Sequence, residues 1–164
     1  MKTLLILRHA KSSWDDSSLD DHERPLNGRG ERDAPRMGAL IRNQRLLPDL
    51  VISSDATRTR TTAEAMAEAA GYTGDTLLDA RLYHASTAEI LSVLRDVPRA
   101  DTGRVMIVGH NPGLEELIRH LTNRREDFPT AALAQITLPI DEWSELDSST
   151  RGTLVGLWRP KEGR

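Results

Sequence analysis

The chain has 164 residues, a formal net charge of −3 and no cysteine. Its length fits one domain, residues 1–164, with a core of ordinary size, and its acidic balance offers no general attraction to nucleic acid or an anionic membrane. Disulfides, thiolate catalysis and cysteine-based zinc sites are excluded, and no apolar run is long enough for a signal-peptide core or a membrane span, so a cytoplasmic monomer is expected.

Thr3 to Leu7 reads as a strand buried on both faces, followed at once by Arg8 and His9. Lys11 to Arg29 is polar and rich in Asp and Ser, and reads as a long loop. The spacing of Met37, Leu40 and Ile41 predicts a helix over 30–45, with Pro35 marking where its regular part begins. Asp49 to Ser53 is a second short apolar strand. Thr57 to Ala70 is an alanine-rich helix closed by Gly71, with Ser54 or Asp55 as candidate caps. A short strand is expected over 76–79 and a helix over 87–96, with Ile90, Leu91 and Leu94 facing inward. A strand over 104–108 runs into Gly109, His110 and Asn111, and a helix begins at Pro112. Strand-like runs over 132–138 and 153–158 have no helical pattern between them and are expected to pair as an antiparallel hairpin. The fold class is therefore a single three-layer α/β/α domain, mostly parallel, ending in that hairpin.

In an open α/β sheet, ligands gather beyond the carboxyl ends of the strands. Three strands here end in polar groups: Arg8 with His9, Ser53 with Ser54, and His110 with Asn111. Arg58 falls in the first turn of its helix, where the dipole disfavours a cation. An anion nearby would explain it, and so would a surface pair with Asp55 or Glu64. Either histidine alone would be unremarkable. Two imidazoles and two guanidinium groups at one edge point to phosphate. A metal fits poorly, because no well-placed carboxylate joins the histidines and arginines would repel a cation. A neutral imidazole can attack phosphorus, and flanking guanidinium groups both disfavour imidazolium and hold the equatorial oxygens in their planar forks.

Other residues carry weaker signals. Lys11 follows His9 closely and can add charge to the pocket. Trp14 is read as packing, and Trp143 and Trp158 as covers for the sheet edge. His22 and His84 are read as solvent-exposed loop histidines. His120 and Arg119 suit a helix C-terminus without any ligand. The glycines of "GRGER" lack the strand and Lys-Ser/Thr context of a nucleotide-phosphate loop.

Three segments, in this order, resemble the histidine phosphatase superfamily, which includes the phosphoglycerate mutases: "LRHAK", "SSDATRTRTTAE" and "VGHNPG". The small size, the "ERPLNGRG" segment and the terminal hairpin are most similar to the SixA-type phosphohistidine phosphatases. The resemblance implies His9 as the nucleophile that becomes phosphorylated and Arg8 and Arg58 as the phosphoryl clamp. It implies that His110 hydrogen-bonds the transferred group, with Asn111 assisting, and that no metal or organic cofactor is needed. A phosphorylated substrate follows, with protein phosphohistidine favoured because a short chain has little room for insertions that enclose small metabolites. A small-molecule phosphatase or mutase, or a phosphate-binding module without turnover, are the alternatives.

One departure concerns the proton donor. Many members place a glutamate after the third strand, where this chain reads "DARLYHAS" with Tyr83 at the corresponding position. A phosphohistidine leaving nitrogen can be protonated before cleavage, whereas an alkoxide needs an acid. Asp16, Asp21 and Glu23 in the long loop are the candidate donors.

Overall fold

The computed structural model describes residues 1–98 and 102–160. Six strands form one sheet: β1 (Lys2–Arg8), β2 (Leu50–Ser53), β3 (Thr76–Leu78), β4 (Arg104–Gly109), β5 (Leu133–Leu138) and β6 (Thr153–Trp158). Their order is β3-β2-β4-β1-β5-β6. β1, β2, β3 and β4 run parallel; β5 lies antiparallel to β1, and β6 antiparallel to β5. This is the mixed α/β sheet with a terminal hairpin expected from the sequence.

Helices α1 (Gly28–Asn43) and α2 (Thr57–Ala70) cover one face, and α3 (Thr87–Arg95) and α4 (Gly113–Thr122) the other. The side-chain period of two divides β1 between two cores. Leu4 and Ile6 pack with Val105, Ile107 and the α3 and α4 residues Ile90, Leu94, Leu117 and Ile118. Leu5 and Leu7 pack with Met106, Val108 and the α1 and α2 residues Met37, Ile41, Ala63 and Met66. A strand covered on both faces has no solvent side, which is why the opening segment is unbroken in its apolarity.

Several local expectations are corrected. Helix α1 begins two residues early, at Gly28, because Asn27 Oδ1 accepts the Gly30 amide at 2.9 Å. Pro35 therefore lies well inside the helix instead of at its start. Neither Ser54 nor Asp55 is the N-cap of α2; Ala56 is, with no side-chain cap bond. The Ser54 hydroxyl is engaged by His110 and the Asp55 carboxylate by His22. The loop after β1 is partly ordered by a Ser12–Leu26 bridge and a 3-10 turn at Asp21–Glu23. Trp143 is a core residue rather than an edge cover: it is buried, and its indole N–H donates to the Thr102 carbonyl at 2.7 Å.

Candidate functional site

β1 and β4 are hydrogen-bonded neighbours in parallel register, with Arg8 opposite Gly109. One residue further, His9 and His110 must stand side by side, and their ring centroids are 5.3 Å apart. β2 is the next strand, so its terminal Ser54 reaches His110 Nε2 at 2.9 Å. Parallel pairing thus converts three separate sequence segments into one cleft at the carboxyl edge.

The backbone around His9 is held on three sides. Its amide donates to Gly109 O, its carbonyl accepts from the Ala131 amide, and the next amide, of Ala10, donates to Thr62 Oγ1. Thr62 Oγ1 in turn donates to Arg58 O, and Thr59 Oγ1 to Ser54 O. These hydroxyls give the threonines of the "TRTRTTAE" stretch a structural purpose: they fasten the start of α2 to the strand ends that carry the histidines. His9 Nδ1 donates to the Ala10 carbonyl at 2.7 Å. That bond places the proton on Nδ1 and leaves Nε2 with a free lone pair.

The cleft has a volume of about 240 Å³ and is lined by Arg8, His9, Lys11, Arg24, Arg58 and His110, with Trp14, Asp21, His84, Asn111 and Thr130 around them. A larger pocket beside α4, lined by Glu115, Glu116, Arg119 and Asp127, holds none of these histidines. Four cations, Arg8, Lys11, Arg24 and Arg58, face one lining carboxylate, Asp21. Burial first, and then Arg8, Arg58 and Arg24, pull the His9 pKa down to about 4, against the opposing Ala10 bond. Burial, then His9 and Arg58, bring His110 down to about 3. Both imidazoles are therefore neutral at neutral pH. Arg8 Nε and His110 Nδ1 are buried without a hydrogen-bond partner among the described residues. Four cations around two neutral imidazoles, set against a single carboxylate, make the cleft a place for an anion.

The structure brings Arg8, His9, Arg58 and His110 together, with Lys11 exposed at the mouth. Arg58 pairs with neither Asp55 nor Glu64. Its guanidinium donates to Asp21 O at 2.6 Å and Asp21 Oδ2 at 2.9 Å. Asn111 lines the cleft, but its amide nitrogen donates to Glu115 Oε1 and Phe128 O, which makes it a brace for the 128–130 wall. Arg8 also donates to Phe128 O, at 3.2 Å.

Of the three candidate proton donors, only Asp21 lines the cleft. Asp16 is exposed and bonded to Ser18, and Glu23 is not among the lining residues. Asp21 also receives bonds from Arg24 at 2.8 Å and Tyr83 Oη at 2.6 Å. Desolvation would raise its pKa, but the bonds from Tyr83, Arg58 and Arg24 outweigh this and hold the carboxyl well below the usual range. It is a fixed carboxylate, with no proton to give near neutral pH.

Arg24, Tyr83 and His84 enter the site without having been assigned a role from the sequence. Arg24 lies in "ERPLNGRG", a segment whose resemblance was visible while its chemistry was not; the residue is buried and also bonds Ser12 Oγ and Ser13 O. Trp14 does not pack into the fold. It is 74% exposed at the cleft mouth, with the Arg24 guanidinium 3.2 Å from its ring centroid. His84, read as a bland loop residue, lines the cleft, whereas His22 pairs with Asp55 at 2.9 Å.

Among the described residues no helix is long and apolar enough to cross a membrane, and no group of three His, Cys, Asp or Glu residues could hold a metal ion. Comparison with known proteins agrees with the geometry. An uncharacterised chloroplastic protein of Arabidopsis thaliana is 35% identical over 152 residues, 88% of this chain and 70% of that protein. An uncharacterised Mycobacterium tuberculosis protein is 30% identical over 172 residues, 94% of this chain and all of that one. A crystal structure assigned as the phosphohistidine phosphatase SixA from Agrobacterium tumefaciens superposes with a TM-score of 0.82 at 28% identity, covering 97% of this chain and 98% of that one. The family model described as histidine phosphatase superfamily (branch 1) matches residues 4–87, from β1 through the Tyr83–His84 loop. The chain belongs to the histidine phosphatase superfamily.

Proposed function

We propose that this protein is a phosphatase that works through a phosphohistidine intermediate on His9, with a phosphohistidine side chain of another protein as its substrate. The observation that carries the reading is the convergence of two neutral imidazoles and two arginines on one small cleft. His9 Nε2 attacks phosphorus in line, and water then releases phosphate from it. Arg8 and Arg58 hold the equatorial oxygens, and the charge that develops there is met by donors already in place. His110, oriented by Ser54, hydrogen-bonds the same group. Asp21 keeps the Arg58 and Arg24 planes fixed, and its ion pairs must loosen when phosphate arrives, since both anions seek the same guanidinium. No step requires a metal.

The choice of substrate rests on the shape of the site. The cleft is small, and Lys11 and Trp14 stand exposed among its lining residues, so a side chain projecting from a folded protein can enter. The similarity to a SixA structure supports the same choice. The test compares phosphohistidine peptides with phosphoserine peptides and sugar phosphates, and traps labelled phospho-enzyme by denaturing quench. Faster turnover of phosphohistidine, with a trap lost in His9→Ala, is expected. Equal or better turnover of sugar phosphates would favour a small-molecule phosphatase, and phosphoryl return to a second hydroxyl a mutase. Phosphate binding without any trapped enzyme would leave a binding module.

A further inference from the structure

The 3-10 turn at Asp21–Glu23 and the 83–85 loop carry five groups that could handle a proton; His22 is bonded to Asp55 Oδ1 at 2.9 Å and neither it nor Glu23 lines the cleft, which leaves Asp21, Tyr83 and His84. Asp21 is saturated by Arg58, Arg24 and Tyr83. The Tyr83 hydroxyl is committed as donor to Asp21 Oδ2, and burial, followed by that bond and the carboxylate charge, pushes its pKa up. His84 is the remaining one. Its side chain is 66% exposed, and Nε2 lies 3.8 Å from Asp21 Oδ2. Its ring leans on Tyr83 with centroids 4.0 Å apart, and stands 6.2 Å from the His110 ring.

The backbone of this loop is closely held. His84 has φ +54°, in the left-handed region where a residue with a Cβ is disfavoured. The loop is fixed from behind by Gly113, where a Cβ would meet the Ala85 carbonyl at 2.4 Å. Asn, Asp and His are the non-glycine types that reach this region most readily, so the turn accepts a histidine here.

Building on the phosphatase reading above, we propose that His84, which lines the cleft beside Asp21 and Tyr83, is the proton donor to the leaving group. His9 Nε2 bonds to phosphorus as the bond from phosphorus to the leaving atom breaks. The leaving atom keeps that electron pair and takes a proton from His84 Nε2–H, which becomes neutral. Water then attacks phosphorus, the P–Nε2 pair returns to His9, and the proton lost by water passes to His84. Asp21 Oδ2 lies 3.8 Å from His84 Nε2, on the side from which the proton moves.

The test uses 4-nitrophenyl phosphate and phenyl phosphate, which differ little in size but greatly in the basicity of the leaving oxygen. His84→Asn tolerates the left-handed backbone but cannot donate in this way. It should change kcat/KM for the nitrophenyl ester by no more than about threefold, while lowering that for phenyl phosphate by about 10²-fold. Equal losses on both esters, as a merely structural role would give, or no loss on either, would overturn the proposal. So would failure of the wild type to hydrolyse phenyl phosphate at all, since no acid would then serve an oxygen leaving group. Formation of phospho-His9 from phosphohistidine peptide is scored separately: its absence defeats the underlying phosphatase reading, its presence leaves only His84 in question.

Discussion

Neutrality of His9 is the electrostatic condition for attack on phosphorus, and it has a consequence for stability. In the fold, burial and three arginines lower the His9 pKa from 6.5 to about 4. Between those values the unfolded chain binds a proton at this position that the folded chain does not. Stability is therefore intact above pH 6.5 and is lost as pH falls toward about 4. A tenfold change corresponds to about 1.4 kcal/mol, so the difference between pH 7 and about pH 4.5 amounts to about 2 kcal/mol from His9 alone. Urea unfolding of wild type and His9→Gln at the two pH values reads this contribution together with the part of the His110 shift that His9 causes. Wild type should lose about 2 kcal/mol more than the variant on acidification. Equal losses would mean that the imidazole is solvated and ordinary, and the account of a pre-deprotonated nucleophile would fail. By the same reasoning, the acid limb that His9 imposes on turnover should centre on about pH 4.

Arg58→Lys and Arg58→Ala should each lower kcat/KM by about 10²–10³, since an ammonium cannot reproduce the two-pronged contact; near-normal turnover of the lysine variant would show that charge alone suffices. Asp21→Asn removes the shared acceptor of Arg58, Arg24 and Tyr83 and should cost about 1 kcal/mol by urea titration, kept small by the partial exposure of the carboxylate. The same variant should bind inorganic phosphate more tightly, because the guanidinium groups lose a competing anion; weaker binding in calorimetry would instead make Asp21 chiefly a positioner. Gly113→Ala drives a methyl into the Ala85 carbonyl and should cost about 1–3 kcal/mol, together with activity, by displacing the 83–85 loop. Unchanged melting and turnover would show that the loop yields freely.

What the sequence determined by itself was local. A short apolar run closed by polar residues reads as a strand covered on both faces because it is too short for a helix, and the spacing of Ile90, Leu91 and Leu94 reads as one helix face. The ends of those elements named Arg8, His9, Arg58 and His110 as candidates, because alternating strands and helices force parallel pairing and parallel pairing collects strand ends. The tertiary structure decided the rest. Register set Arg8 opposite Gly109 and so placed the two imidazoles together. The polar segment after β1 has no periodicity from which its path could be read. Only its return along Ser12–Leu26 brings Asp21 and Arg24 to Arg58, a partner 37 residues away. His84 was invisible for the same reason: a loop histidine acquires meaning from the groups it faces, and those are fixed by packing rather than by sequence neighbours.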